Sequence, residues 1–187
     1  KSAELLIECK DKAVKLTIGK KSKHYEDVTD SDVVEEIIDE YGLEKDVEST
    51  SIQHKELIQF HTTDWDFMIS RMDIIGRFCM VEDGKIIIKK PELTASSILD
   101  VLYGATILDY RAEIDARTQF TEIKSKAWDY SNQEVTEDTG DAPSMNAAGN
   151  HSPEDLSAVI GLDSNLLIHS GKMNGEAVKE WANAKML

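Results

Sequence analysis

His54, His61, Asp64 and Asp66 have the side-chain types that metal-assisted hydrolysis requires. Two imidazoles and two carboxylates can hold a divalent ion, which then activates a bound water. His61 opens the stretch HTTDWDFMISRMDIIGRFCMVEDGKIII, which also carries a tryptophan, an arginine and a cysteine. The spacing speaks against an ion, because the chain has no His-Glu-x-x-His and no close cysteine pair. Asp64 and Asp66 stand two apart at a helix start, about 200° around its axis, so they point to nearly opposite sides. Acids in a first helical turn also have a simpler role, which is to complement the helix dipole.

Other chemistries find no better support. The sequence holds 36 acids, and solvated acidic faces account for them without singling out a glycosidase-like pair. There is no Gly-x-Ser-x-Gly elbow. SGKMNG, from Ser170 to Gly175, lacks the upstream glycine of a phosphate-binding loop. Cys9 and Cys79 lie far apart in apolar, strand-like runs, and both are read as buried, reduced thiols. No catalytic, cofactor-binding or metal-binding residue is assigned.

Lys and Arg number 21 against 36 Asp and Glu, a net charge of −15. Such a chain repels nucleic-acid phosphates and anionic membrane surfaces. No apolar run reaches the ~20 residues of a membrane-spanning helix. The chain begins at Lys1 and ends on WANAKML inside an apparent helix, which reads as a piece of a longer protein.

The elements that would position these residues can be read from periodicity. AELLIECKDKAVKLTIGKKSKHYEDV reads as strands around a Lys-Asp-Lys turn, with Val14, Leu16 and Ile18 alternating. VTDSDVVEEIIDEYGL is a helix capped by Thr29, with Asp30 and Asp32 in its first turn and Val28 and Val33 as a staple. Its apolar stripe is Val33, Val34, Ile37, Ile38 and Tyr41, and Gly42 stops it. VESTSIQHKELIQF is extended, with Ile52 and either Leu57 or Ile58 turned inward. Thr62 or Thr63 caps a second helix, which sets Trp65, Met68, Ile69, Met72 and Ile75 on one face and ends at Gly76. Asp83-Gly84 between RFCMV and KIIIKK signals a two-residue hairpin turn.

Ile98 to Tyr130 reads as further strands, with alternation around Ile107, Asp109 and Ile114. Residues 134–166 read as a long mobile loop. SNLLIHSGK holds a short strand, and Asn174 caps a final helix bearing Val178, Trp181 and Ala182. Trp65, Trp128 and Trp181 are taken as core anchors.

The order of a β segment, the DVTDSDVVEEIIDEYGL helix, QHKELIQFHTTDWDFMISRMDIIGRF and the VEDGKIII hairpin resembles the hub region of VgrG proteins. These are spike proteins of type VI secretion, related to the late-control and baseplate-hub proteins of contractile phage tails. The resemblance rests on a Ser/Thr-Asp-Trp-Asp-Phe helix start, a later arginine and a glycine before the hairpin. The matching residues are Thr63, Asp64, Trp65, Asp66, Phe67, Arg71 and Gly76, followed by Asp83 and Gly84 at the turn and Trp128 in a Trp-Asp step.

The resemblance implies an α+β fold in which antiparallel β-barrel modules flank a small two-helix α/β module. Residues 1–27 would be the remnant of a first barrel, 28–91 the α/β module and 92–187 the second barrel. It also implies a non-enzymatic hub that trimerises, caps an Hcp-like hexameric tube and meets baseplate components and effectors. Such a hub assembles in the cytoplasm and is then injected with its spike. Two alternatives remain open: a baseplate hub of a contractile phage tail, and a metal-assisted hydrolase using His54, His61 and nearby acids.

Overall fold

The computed structural model describes residues 5–113, 115–146, 149–162 and 164–187. The chain divides into two compact units, Lys1–Pro91 and Glu92–Leu187. The class is α+β.

The first unit contains strand β1 (Lys21–Thr29), helix α1 (Asp30–Glu40), β2 (Glu44–Val47), β3 (Gln53–Thr62), helix α2 (Asp64–Ile74), β4 (Phe78–Glu82) and β5 (Lys85–Lys89). β1 pairs antiparallel with β3, while β5 lies between antiparallel β4 and parallel β2. β1 runs through residue 27 and is tied along its length to β3, so residues 1–27 and 28–91 fall within one unit.

Local sequence explains both helices. Thr29 caps α1 through a reciprocal box: its hydroxyl accepts from Asp32 N at 3.2 Å, and the Asp32 carboxylate accepts from Thr29 N at 2.9 Å. Gly42 follows with φ 60°, the left-handed stop the sequence calls for. Thr63 caps α2 by accepting from Asp66 N at 3.0 Å. Asp83 and Gly84 have φ of 48° and 83°, so both turn residues are left-handed, as a twist-matched hairpin requires.

The core joins Val33, Val34, Ile37 and Ile38 of α1 to Phe67, Met68 and Met72 of α2 and to Ile86 and Ile88 of β5. Phe67 is an addition to the expected face, and Ile69 is only half-buried. Ile52, just before β3, and Leu57 within it turn inward, whereas Ile58 is exposed.

The expected strand near the amino terminus is a 3-10 helix, Lys12–Thr17. Asp11 caps it by accepting from Ala13 N at 2.8 Å, and its other oxygen accepts from Gly84 N at 2.8 Å. A three-residue period buries Ala13 and Leu16 and leaves Ile18 exposed, which strand alternation would not do. Cys9 is exposed, contrary to expectation, because no element forms over residues 5–10 to enclose it.

The second unit contains β6 (Glu122–Asp129), β7 (Glu134–Thr139), helix α3 (Pro153–Ile160), β8 (Ser164–His169) and helix α4 (Gly175–Met186). β6 is central, antiparallel to β7 and parallel to β8. Among the described residues the three sheets hold two or three strands each, and two of them combine parallel with antiparallel pairing. Ile123, Ser125, Ala127 and Asp129 form the buried face of β6, and α4 contributes Ala177, Val178 and Ala182 to the buried set. The Ser125 hydroxyl donates to Val178 O at 2.6 Å. Trp128 has the opposite pleat and is 44% exposed, so it does not anchor the core. Trp65 and Trp181 are half-buried.

Two longer expectations change here. Among the described residues no strand forms over 98–121, which holds only a bridge between Tyr103 and Ile107. Leu102 O accepts from the amides of Ala105, Thr106 and Ile107, a tight turn that consumes the bonds a strand would share. Ile114 lies outside the described residues. Residues 134–166 are not one loop but contain β7, α3 and the start of β8. α3 has a full capping box on Ser152 and Asp155, proline at its start and left-handed Gly161 at its end. Among the described residues no helix is long and apolar enough to cross a membrane.

Candidate functional site

Helices α1 and α2 each begin with a buried aspartate. Asp30 is 1% exposed and Asp64 is 2% exposed. Both sit on the apolar stripe of their helix, three residues before Val33 and Phe67 respectively, so the fold carries them inward.

Asp30 Oδ1 accepts from Arg71 Nε at 2.6 Å, and its Oδ2 meets His54 Nε2 at 2.7 Å. The pairing of Val28 with His54 in the β1–β3 ladder brings that imidazole beside the start of α1. With the His54 proton placed on Nε2 to serve the carboxylate, the 3.2 Å approach of Arg71 Nη2 to the same nitrogen is not a hydrogen bond. Burial pushes the Asp30 carboxyl upward, but the bonds from His54 and Arg71 outweigh it and hold the group below its ordinary value.

Asp64 has a separate set of partners. Gln59 Nε2 donates to its Oδ1 at 2.8 Å, Tyr41 Oη donates to its Oδ2 at 2.6 Å, and Lys21 Nζ lies 2.6 Å from Oδ2. Burial raises this carboxyl too, and the Gln59, Lys21 and Tyr41 donors more than reverse it. The Asp64 bond, with help from Glu40, raises the Lys21 ammonium well above its usual range. Arg71 lies in the last turn of α2 and Tyr41 caps the end of α1. The first residue of each helix is therefore fastened to the far end of the other, and the two helices run antiparallel.

The four candidate ligands do not converge. His54 and Asp64 are held by different partners, while His61 and Asp66 are exposed. His61 stands at φ 46° beside an irregularity in the β1–β3 register, with its amide donating to Ser22 Oγ at 3.1 Å. Asp66 is engaged with Thr63. Among the described residues no three histidine, cysteine or carboxylate side chains are grouped to hold a metal ion. Burial lifts the Cys79 thiol to about 11, so it is protonated and unreactive near neutral pH. A shallow depression of about 340 Å³ on β1 and β3, lined by Lys23, His24, Glu56, Ile58 and Phe60, includes neither Asp30 nor Arg71.

The remaining motif residues also serve the backbone or the packing. Trp65 packs against the core, Phe67 stacks on Tyr25 with ring centroids 6.1 Å apart, and Gly76 follows α2 at φ 62°. The sequence reading missed the burial of Asp30 and Gln59 and the pairing of Asp30 with Arg71. The helical spacing of Asp30 with Val33, Val34 and Ile37 was a signal for the first of these.

Solved structures that share this fold include three tail proteins. The 43 kDa tail protein of prophage MuSo2 from Shewanella oneidensis is 11% identical, with a TM-score of 0.62 over 94% of this chain and 51% of its own. A tail protein from Neisseria meningitidis MC58 is 12% identical, with a TM-score of 0.53 over 89% and 49%. Prophage tail protein gp18 from Listeria monocytogenes EGD-e is 15% identical, with a TM-score of 0.52 over 86% and 48%. The chain thus spans about half the length of the structures it matches. No curated protein matches it. A family model matches residues 1–187, and by that match the chain belongs to the Alg8 N-terminal domain family.

Proposed function

We propose that this chain is a structural module of a tail-type assembly, a hub part that joins a protein tube to a spike and catalyses no reaction. The observation that carries the reading is the tail-protein fold, matched over 86–94% of the chain. The buried carboxylates support it, since Asp30 and Asp64 are spent on fastening helices and do not face an open cleft. The baseplate hub of a contractile phage tail is the first form of this proposal, because the solved relatives are tail proteins. A VgrG-type spike of type VI secretion is the second, carried by Thr63 to Phe67 with Arg71 and Gly76.

In either form the working unit is a homotrimer seated on a hexameric, Hcp-like tube, with baseplate components and, for a spike, effectors as neighbours. It is assembled in the cytoplasm, and the spike form is then injected. The test is copurification of the full-length protein with its hexameric tube protein at low salt. A stable complex is expected, and no association would overturn the reading. Metal analysis separates the hydrolase alternative: stoichiometric metal that is lost in His61→Ala would favour an enzyme.

A further inference from the structure

Within the second unit, residues 98–110 expose a dense apolar surface. Ile98, Leu99, Val101, Leu102, Tyr103, Leu108 and Tyr110 are each more than half exposed, Val101 being the least at 52%. Isolated exposed apolar residues are ordinary, but seven within the thirteen consecutive residues 98–110 point to an interaction surface.

The middle of the segment is locally ordered. Leu102 O accepts from Ala105, Thr106 and Ile107 N, Gly104 N donates to Ile107 O at 2.8 Å, and Thr106 Oγ1 accepts from Leu102 N at 2.7 Å. These bonds fix a turn with Leu102, Tyr103 and Leu108 on it before any partner arrives, which lowers the ordering cost of docking. Asp100, Asp109 and Glu113 accompany the apolar residues, with Arg111 the single base from 98 to 113. The whole chain carries −15, so a second copy meets like charge here, whereas a basic rim meets complementary charge.

We propose that the turn at residues 98–110 docks into an apolar groove of a protein whose rim is rich in lysine and arginine. This rests on exposure and charge and stands apart from the tail-hub reading. The probe is a labelled amphipathic helix of leucine and lysine, titrated with the intact chain and followed by fluorescence anisotropy. Its leucine–glutamate counterpart is the control.

Binding of the basic peptide is expected, weakening as salt rises from about 50 to about 300 mM. Leu102→Ser/Leu108→Ser should bind it about tenfold more weakly. Leu102→Glu/Leu108→Glu should do the same although it adds negative charge, which separates apolar docking from simple attraction. Unchanged circular dichroism certifies that the variants are folded. Failure of the basic peptide to bind, equal binding of the acidic peptide, or binding by either variant as tight as that of the unaltered chain would overturn the proposal. Self-association that strengthens with salt and disappears in the variants would also overturn it, by making a second copy the occupant.

Discussion

Asp30 and Asp64 are buried carboxylates whose charge is met by neighbouring donors. A buried charge whose partner is removed keeps its desolvation cost and loses its compensation, typically about 3–5 kcal/mol. Arg71→Leu strands the Asp30 carboxylate in this way, and urea denaturation should show a loss of about 3 kcal/mol. A loss under about 1 kcal/mol would mean that His54 alone compensates Asp30. Both aspartates titrate in the folded chain below their ordinary value of 3.8. Between the lowered value and 3.8 the unfolded chain binds more protons, so the stability they confer is complete above that range and drains away as pH falls through it. Urea midpoints should therefore drop below pH 4, and Asp64→Asn should flatten that drop while lowering the midpoint at neutral pH. A profile of unchanged steepness would show that other carboxylates govern acid sensitivity.

At the scale of elements, caps and close approaches set the costs. Thr29→Ala removes the acceptor for Asp32 N and should cost about 1 kcal/mol in urea denaturation, with Thr29→Ser restoring most of it. Gly140 follows β7, and a Cβ there would lie 2.9 Å from the backbone carbonyl of Ala182 in α4. Gly140→Ala should therefore displace α4 at a cost of about 1–3 kcal/mol, seen as faster amide exchange over residues 175–186. Unchanged exchange would mean that the helix can shift freely. Both helices of the first unit and the Asp83-Gly84 hairpin were legible in the sequence, since cap, stripe and stop agree at each. The 3-10 helix was not, because a short apolar run fits a period of two or of three until Asp11 is seen to bond both Ala13 and Gly84. α3 was overlooked inside a polar stretch although Ser152-Pro153 followed by Asp155 is a helix-start signature.

For the whole molecule, the α+β class could be read locally, but sheet order could not. The parallel pairings of β2 with β5 and β6 with β8 join segments about 40 residues apart, and nothing local encodes them. The buried polar ties of the site had the same obscurity, since Asp30 and Arg71 are 41 residues apart and meet only once two helices pack. The segment 98–110 looked like strand because apolar and polar residues mix there, yet alternation alone does not supply a partner to pair with. Net charge acts at this scale as well. With −15 on 187 residues, screening should raise the melting temperature by a few degrees between low and moderate salt. A flat or falling response would mean that the pairs of Lys21 and Lys23 with Glu36, Glu40 and Asp64 dominate over general repulsion.

The outward pleat of Trp128 gives the molecule an intrinsic optical probe. Its indole sits half in water on the open side of β6, whereas Trp65, the single tryptophan of the first unit, packs against that unit's core. Emission from Trp128 should lie to the red and yield readily to a soluble quencher such as acrylamide, while Trp65 emits to the blue and is shielded. Anything that settles on the open side of β6 would shift the first signal and leave the second where it was.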